Sequence, residues 1–138
     1  MDTDSSFVSK PTIVRTLLCH RDVQLAIHCL NSVVKLSADP VRIVIHEDGT
    51  LTPSDRIMLA EGLPGSRILD RSEADNIMSE RLASYPNALS FRQGSVWGMK
   101  LLDIVIAEAG LCFYLDSDIC FFRPFRGLFV DAATKGRC

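Results

Sequence analysis

A chain of 138 residues, 47% hydrophobic and 23% charged, carries enough apolar material for one packed domain, which excludes disorder as its general state. Its 15 Lys and Arg residues are scattered and balanced by 17 Asp and Glu, for a net charge of -2, so nothing points to capture of nucleic acid or of an anionic membrane. The five cysteines (Cys19, Cys29, Cys112, Cys120 and Cys138) form no CxxC or other metal-ligand spacing, and four of them sit inside apolar runs. The opening "MDTDSSFVSK" is acidic and polar, unlike a secretory leader, and no apolar run approaches the ~20 residues needed to span a bilayer. The expectation is a soluble, cytoplasmic protein with reduced cysteines.

After a polar leader over residues 1–11, "TIVRTLLCH" (residues 12–20) reads as a buried strand. Asp22 stands where it would cap a helix over residues 23–37, in which Val23, Ala26, Ile27, Leu30, Val33 and Val34 recur at helical spacing. Asp39-Pro40 ends that helix. A second buried strand, residues 41–45, leaves through His46, Glu47, Asp48 and Gly49. A short helix follows with Pro53 in its first turn and Gly62 and Pro64 as its stop. "SRILD" is a brief third strand. Residues 71–86 are helical by propensity, with Ser72 as cap and Pro86 as stop, and "NALSFRQGS" (87–95) is expected to be a loop. A helix over 96–110 closes at Gly110, and "LCFYL" is a fourth strand delivering Asp116, Ser117 and Asp118 at its end.

Short strands alternating with helices predict a three-layer α/β sandwich with a mostly parallel, Rossmann-like central sheet over residues 12–138. In such sheets ligands gather outside the carboxyl ends of the strands. Three polar clusters fall there: Cys19-His20-Arg21, His46-Glu47-Asp48 and Asp116-Ser117-Asp118.

The last cluster poses a physical problem. Alternation sends Asp116 and Asp118 to the same side of the chain, where two ionised carboxylates repel and each resists leaving water. A divalent cation between them resolves the conflict, and all-oxygen ligation favours a hard ion, Mn²⁺ or Mg²⁺. The plainer alternative is that the Asp116 side chain caps the turn after the strand and Asp118 is simply solvated.

"FYLDSDICFFRPF" resembles the DxD segment of GT-A type glycosyltransferases, which use nucleotide-sugar donors, and bacterial members in particular. The order of elements is similar as well: a first strand with a polar exit, "VRIVIHEDG" as the second strand, and the lysine-bearing helix "GMKLLDIVI" ahead of the DxD strand. The resemblance covers residues 12–130. It implies that Asp116 and Asp118 coordinate the metal and that Asp116 also approaches ribose or sugar. It further implies that Ser117 lies close to the nucleotide and that Cys19, His20 and Arg21 border base and ribose. Glu47 and Asp48 would contact base or ribose, and Lys100 would meet a donor phosphate or sugar hydroxyl.

Each residue also has a plainer reading. Lys100 serves equally as a helix-surface residue, His20 and Arg21 as loop residues, "EDG" as a turn, and His46 as a satisfied half-buried imidazole. Trp97 and Phe113, Phe121, Phe122, Phe125 and Phe129 read as core rather than as a stacking platform. GT-A enzymes ordinarily carry a further acceptor-binding region after the DxD half, whereas only 20 residues follow Asp118 here. The expectation is therefore a truncated, donor-binding half, with self-association or a partner chain as ways to complete it and to cover an unpaired sheet edge. Two other functions are kept open: a non-catalytic nucleotide- or metal-binding module, and a phosphotransferase or phosphatase with Asp116 as nucleophile and Asp118 as acid/base.

Overall fold

A computed structural model describes residues 10–129; most of the polar leader, and residues 130–138 with Cys138 among them, lie outside that range. The elements are β1 (Thr12–Leu18), α1 (Val23–Leu36), β2 (Val41–Glu47), α2 (Pro53–Gly62), β3 (Arg67–Leu69), α3 (Arg71–Arg81), α4 (Pro86–Gly94), α5 (Val96–Ile106) and β4 (Phe113–Tyr114). One turn of 3-10 helix, His20–Asp22, joins β1 to α1. All strand pairings are parallel, in the order β3-β2-β1-β4, so the protein has the expected α/β class. No helix among the described residues is long and apolar enough to cross a membrane.

The β-branched runs "TIV" and "VRIVI" favour extended backbone, and the sheet buries their alternate side chains on opposite faces. Val14, Leu18, Ile43 and Ile45 pack against Val23, Ala26, Leu30 and Val33 of α1 and against Leu59 of α2. Full burial of each such Val, Leu or Ile side chain contributes roughly 1.5–3 kcal/mol. A second cluster joins Leu69 of β3 to Ala74 and Met78 of α3, Leu89 of α4 and Leu102 of α5. Helices thus cover both faces, which makes three layers. Right-handed crossovers dictate this division: the chain moves one way from β1 through β2 to β3, then returns past both to β4, so α3 to α5 fall on the opposite face from α1 and α2. The strand order reverses between β1 and β4.

Local details depart from expectation in several places. Strand β1 stops at Leu18, and although Asp22 occupies the cap position of α1, its side chain does not cap. Thr52 and Asp55 form a reciprocal capping box on α2, with Pro53 in its first turn as expected. Helix α3 starts after Asp70 rather than at Ser72 and ends at Arg81, well before Pro86. Of residues 87–95, expected as a loop, 87–94 belong instead to α4, in which Pro86 starts a helix rather than stopping one, and Ser95 stands between α4 and α5.

Arg92 explains why α4 holds its shape. Its guanidinium is 1% exposed, donating from Nε to Asp103 Oδ1 at 2.8 Å and from Nη2 to Oδ2 at 2.7 Å, and it also meets Asp75 of α3. One side chain therefore ties three helices together. The same packing requires glycine at Gly98, where a Cβ would stand 2.5 Å from the Arg92 Cα and 2.6 Å from the Phe91 carbonyl oxygen.

Candidate functional site

A cleft of about 810 Å³ opens outside the carboxyl ends of β1 and β4, where the strand order reverses. Leu17 and Leu18 from β1 contribute to its lining, with Cys19, His20 and Arg21 just beyond them. Asp48 and Thr50 enter from the exit of β2, and Trp97 and Lys100 from the first turns of α5. Asp116, Ser117 and Asp118 enter from beyond β4, which ends at Tyr114, so the two acids lie in the turn after the strand and not in the strand alternation expected for them. The fold thus brings together every residue expected at the site except Glu47. That carboxylate is buried against Arg56 of α2, which also reaches Asp70 at 2.6 Å.

The position of α5 follows from its cap. Ser95 accepts a hydrogen bond from the Trp97 amide at 3.2 Å, which fixes the first turn and sets Trp97 and Lys100 beside the end of β4. Lys100 Nζ then donates to Asp116 Oδ1 at 2.6 Å, and the Tyr114 hydroxyl donates to the same oxygen at 2.7 Å. The lysine, and to a smaller degree the tyrosine, hold the Asp116 carboxyl below the usual carboxylate range. Burial, and then the bond to Asp116, push the Tyr114 phenol upward, so it remains a donor. Lys100 also stands 4.8 Å from the centroid of the Tyr114 ring and 5.4 Å from that of Trp97, within cation–π range.

Lys100 thus supplies Asp116 with a positive charge from within the protein. The turn after β4 is closed by the Ile119 amide donating to the Asp116 backbone carbonyl at 3.2 Å, so the main chain rather than the carboxylate closes it. Asp118 is exposed and makes no hydrogen bond among the described residues. No group of three His, Cys, Asp or Glu side chains suited to an ion gathers among the described residues. Two carboxylates, one with an oxygen beyond the one held by Lys100 and Tyr114, nevertheless form a donor set suited to a hard cation that draws its other ligands from phosphate and water.

The opposite rim is tied by Thr50, whose hydroxyl oxygen accepts from the His20 amide at 2.8 Å while the hydroxyl donates to Asp48 Oδ1 at 2.6 Å. His20 Nδ1 lies 2.7 Å from Asp55 Oδ2. The Thr52 amide first, and His20 second, keep the Asp55 carboxyl below its ordinary value. Burial, followed by the hydrogen bond to Asp22, pushes the Cys19 thiol up, which makes it a poor nucleophile. The described cysteines are all free.

The histidines separate. His20 lies in the cleft, His28 is exposed on α1, and His46 is buried with Nε2 accepting from Arg15 at 2.9 Å. The core reading of the aromatics needs correcting at two positions: Trp97 is 67% exposed in the cleft, and Phe122 is also exposed. Phe113, Phe121, Phe125 and Phe129 do pack together, in pairs with ring centroids 4.4 to 6.0 Å apart. Trp97 and Thr50 are site residues that sequence reasoning missed; an indole in the first turn of the lysine-bearing helix was the available signal. No model of a known protein family matches the sequence, and a search of curated proteins also finds no match.

Proposed function

We propose that this chain is the donor-binding part of a metal-dependent glycosyltransferase, holding a nucleotide-diphospho-sugar in the cleft with Mn²⁺ or Mg²⁺ at Asp116 and Asp118. The observation that carries this reading is the convergence of a carboxylate pair, a lysine and an exposed indole at the reversal of strand order. The cleft volume of about 810 Å³ falls within the range of sites that hold ligands of nucleotide size.

The chain's own groups divide the work. Trp97 offers an apolar face on which a base or sugar ring stacks. Lys100, a point charge on a flexible stem, turns from Asp116 toward the diphosphate once the ligand arrives. His20, Arg21, Asp48 and Ser117 supply polar contacts around the rim. The divalent ion, when bound, neutralises charge developing on the diphosphate leaving group.

Isothermal titration with UDP and GDP, with and without Mn²⁺, tests the proposal. Binding of at least one of them should require the metal and vanish when Asp116→Ala and Asp118→Ala are combined. Affinity unchanged by a chelator would refute the metal role. The lack of a third ion-binding side chain among the described residues favours, as a second reading, a module that binds nucleotide without transferring sugar. Release of free sugar from the bound donor separates the two: transferases commonly leak to water, whereas a binding module does not.

A further inference from the structure

A second cavity, of about 290 Å³, shares no lining residue with the cleft. It is bounded by Arg15 of β1, Arg42 of β2, Arg67 of β3, and Glu108 just after α5. Arg42 and Arg67 stand at the starts of their strands, so this cavity sits toward the end of the sheet opposite to the cleft.

Arg15 is the anomaly. It lies in the middle of a strand with parallel partners on both sides, and its side chain is 5% exposed. Such strands are ordinarily apolar on both faces. Withdrawing a guanidinium from water is costly, and a buried ion pair rarely stabilises more than well-packed hydrophobes would. Stability alone therefore gives no reason for an arginine here.

The surroundings leave its charge incompletely matched. Glu108 meets both Arg15 and Arg67, one carboxylate serving two guanidinium groups. Glu73 reaches Arg67 at 3.3 Å but does not line the cavity. Arg42 enters no ion pair among the described residues and is exposed. Arg15 donates from Nη1 to His46, yet its Nε is buried with no partner. Buried donors of this kind are nearly always satisfied. Three guanidinium groups around one carboxylate leave a cavity lining with an excess of two positive charges.

We propose that this cavity binds a phosphate-type dianion, either inorganic phosphate or the phosphate of a small ester. The planar guanidinium fork matches the oxygens of a tetrahedral oxyanion, and a dianion balances the excess charge. The cavity is at the small end of ligand sites, which suits phosphate with at most a short organic group and excludes a nucleotide. The site is independent of the glycosyl reading of the cleft.

Thermal unfolding and titration calorimetry on the full chain test it, with sodium phosphate compared against sodium chloride at equal ionic strength. Glycerol phosphate forms the further arm. Phosphate should bind saturably and raise Tm, because a ligand selective for the folded state stabilises it. Arg42→Ala, which removes an exposed side chain and leaves the core intact, should weaken binding by at least about tenfold, as expected for a lost charge-assisted contact. Tighter binding of glycerol phosphate assigns the site to an ester, and tighter binding of inorganic phosphate assigns it to the free ion. A Tm rise no larger than chloride gives would overturn the proposal. So would phosphate binding that survives Arg42→Ala but is lost in Lys100→Ala, since the anion would then occupy the cleft.

Discussion

Lys100 and Asp116 form a contact of 2.6 Å across the mouth of the cleft, so the lysine acts as a resident counter-ion for the acid it faces. An incoming divalent ion must compete with it for that carboxylate, whereas a ligand phosphate offers the lysine another partner. Lys100→Met should therefore bind Mn²⁺ alone more tightly than the wild type, by about two- to fivefold, in keeping with the modest strength of an exposed ion pair. The same variant should bind nucleoside diphosphate with Mn²⁺ more weakly. Calorimetric titration of both ligands checks the pair of effects, and weaker Mn²⁺ binding by the variant would show that no competition operates.

Removing one partner of the buried Arg92–Asp103 pair strands the other. Asp103→Ala should destabilise the protein by about 3–5 kcal/mol, because the guanidinium loses its bidentate acceptor away from water. Arg92→Met combined with Asp103→Leu should recover a large part of that loss. Urea unfolding followed by circular dichroism gives both numbers, and a double variant no better than the single one would contradict this account.

His46 makes stability depend on pH. Burial, and then the neighbouring Arg15 guanidinium, push its imidazole from 6.5 down to about 4. The unfolded chain takes up a proton near the ordinary value while the folded chain refuses it until the lower one. The contribution is complete above the ordinary pKa and is lost as pH falls toward 4, by about 3 kcal/mol in all. His46→Gln keeps an acceptor for Arg15 without titrating, so the gap between wild-type and variant unfolding midpoints should change across this window. A constant gap would mean that His46 does not titrate in this way.

Gly98 and Gly94 form a matched test of packing against propensity. Alanine is the better helix former by about 1 kcal/mol. At Gly94 nothing stands within 4 Å of a new Cβ, so Gly94→Ala should be neutral or slightly stabilising. At Gly98 the obstacle is the backbone of α4 itself, and Gly98→Ala should destabilise by more than about 2 kcal/mol. Thermal denaturation of the two variants side by side decides it.

The α/β class and the gathering of the site were legible because both rest on local pattern. Runs such as "TIV" and "VRIVI" announce buried strands, and a parallel sheet sends their polar exits to one edge. Helix α4 was not legible, because Asn87, Ser90 and Gly94 favour turns and Pro86 starts a helix as readily as it stops one. What secures α4 is the reach of Arg92 to Asp103 and Asp75, partners 11 and 17 residues away. Glu47 failed for a related reason: an acid leaving a strand looks available until Arg56, on the next helix, is found against it. Trp97 looked like core because large aromatics usually are, and only tertiary placement reveals its exposed face.

The two walls of the cleft differ in how firmly they are knitted. Strand β1 pairs with β2 along seven residues, while β4 is held to β1 through Val14 and Arg15 alone. Backbone amides near Phe113 and Tyr114 should consequently trade their protons with heavy water well before those of β1, through partial openings that leave the rest of the sheet closed. The acids Asp116 and Asp118 thus hang from the most readily unzipped part of the framework, and any occupant that bridges them to α5 should slow that exchange first.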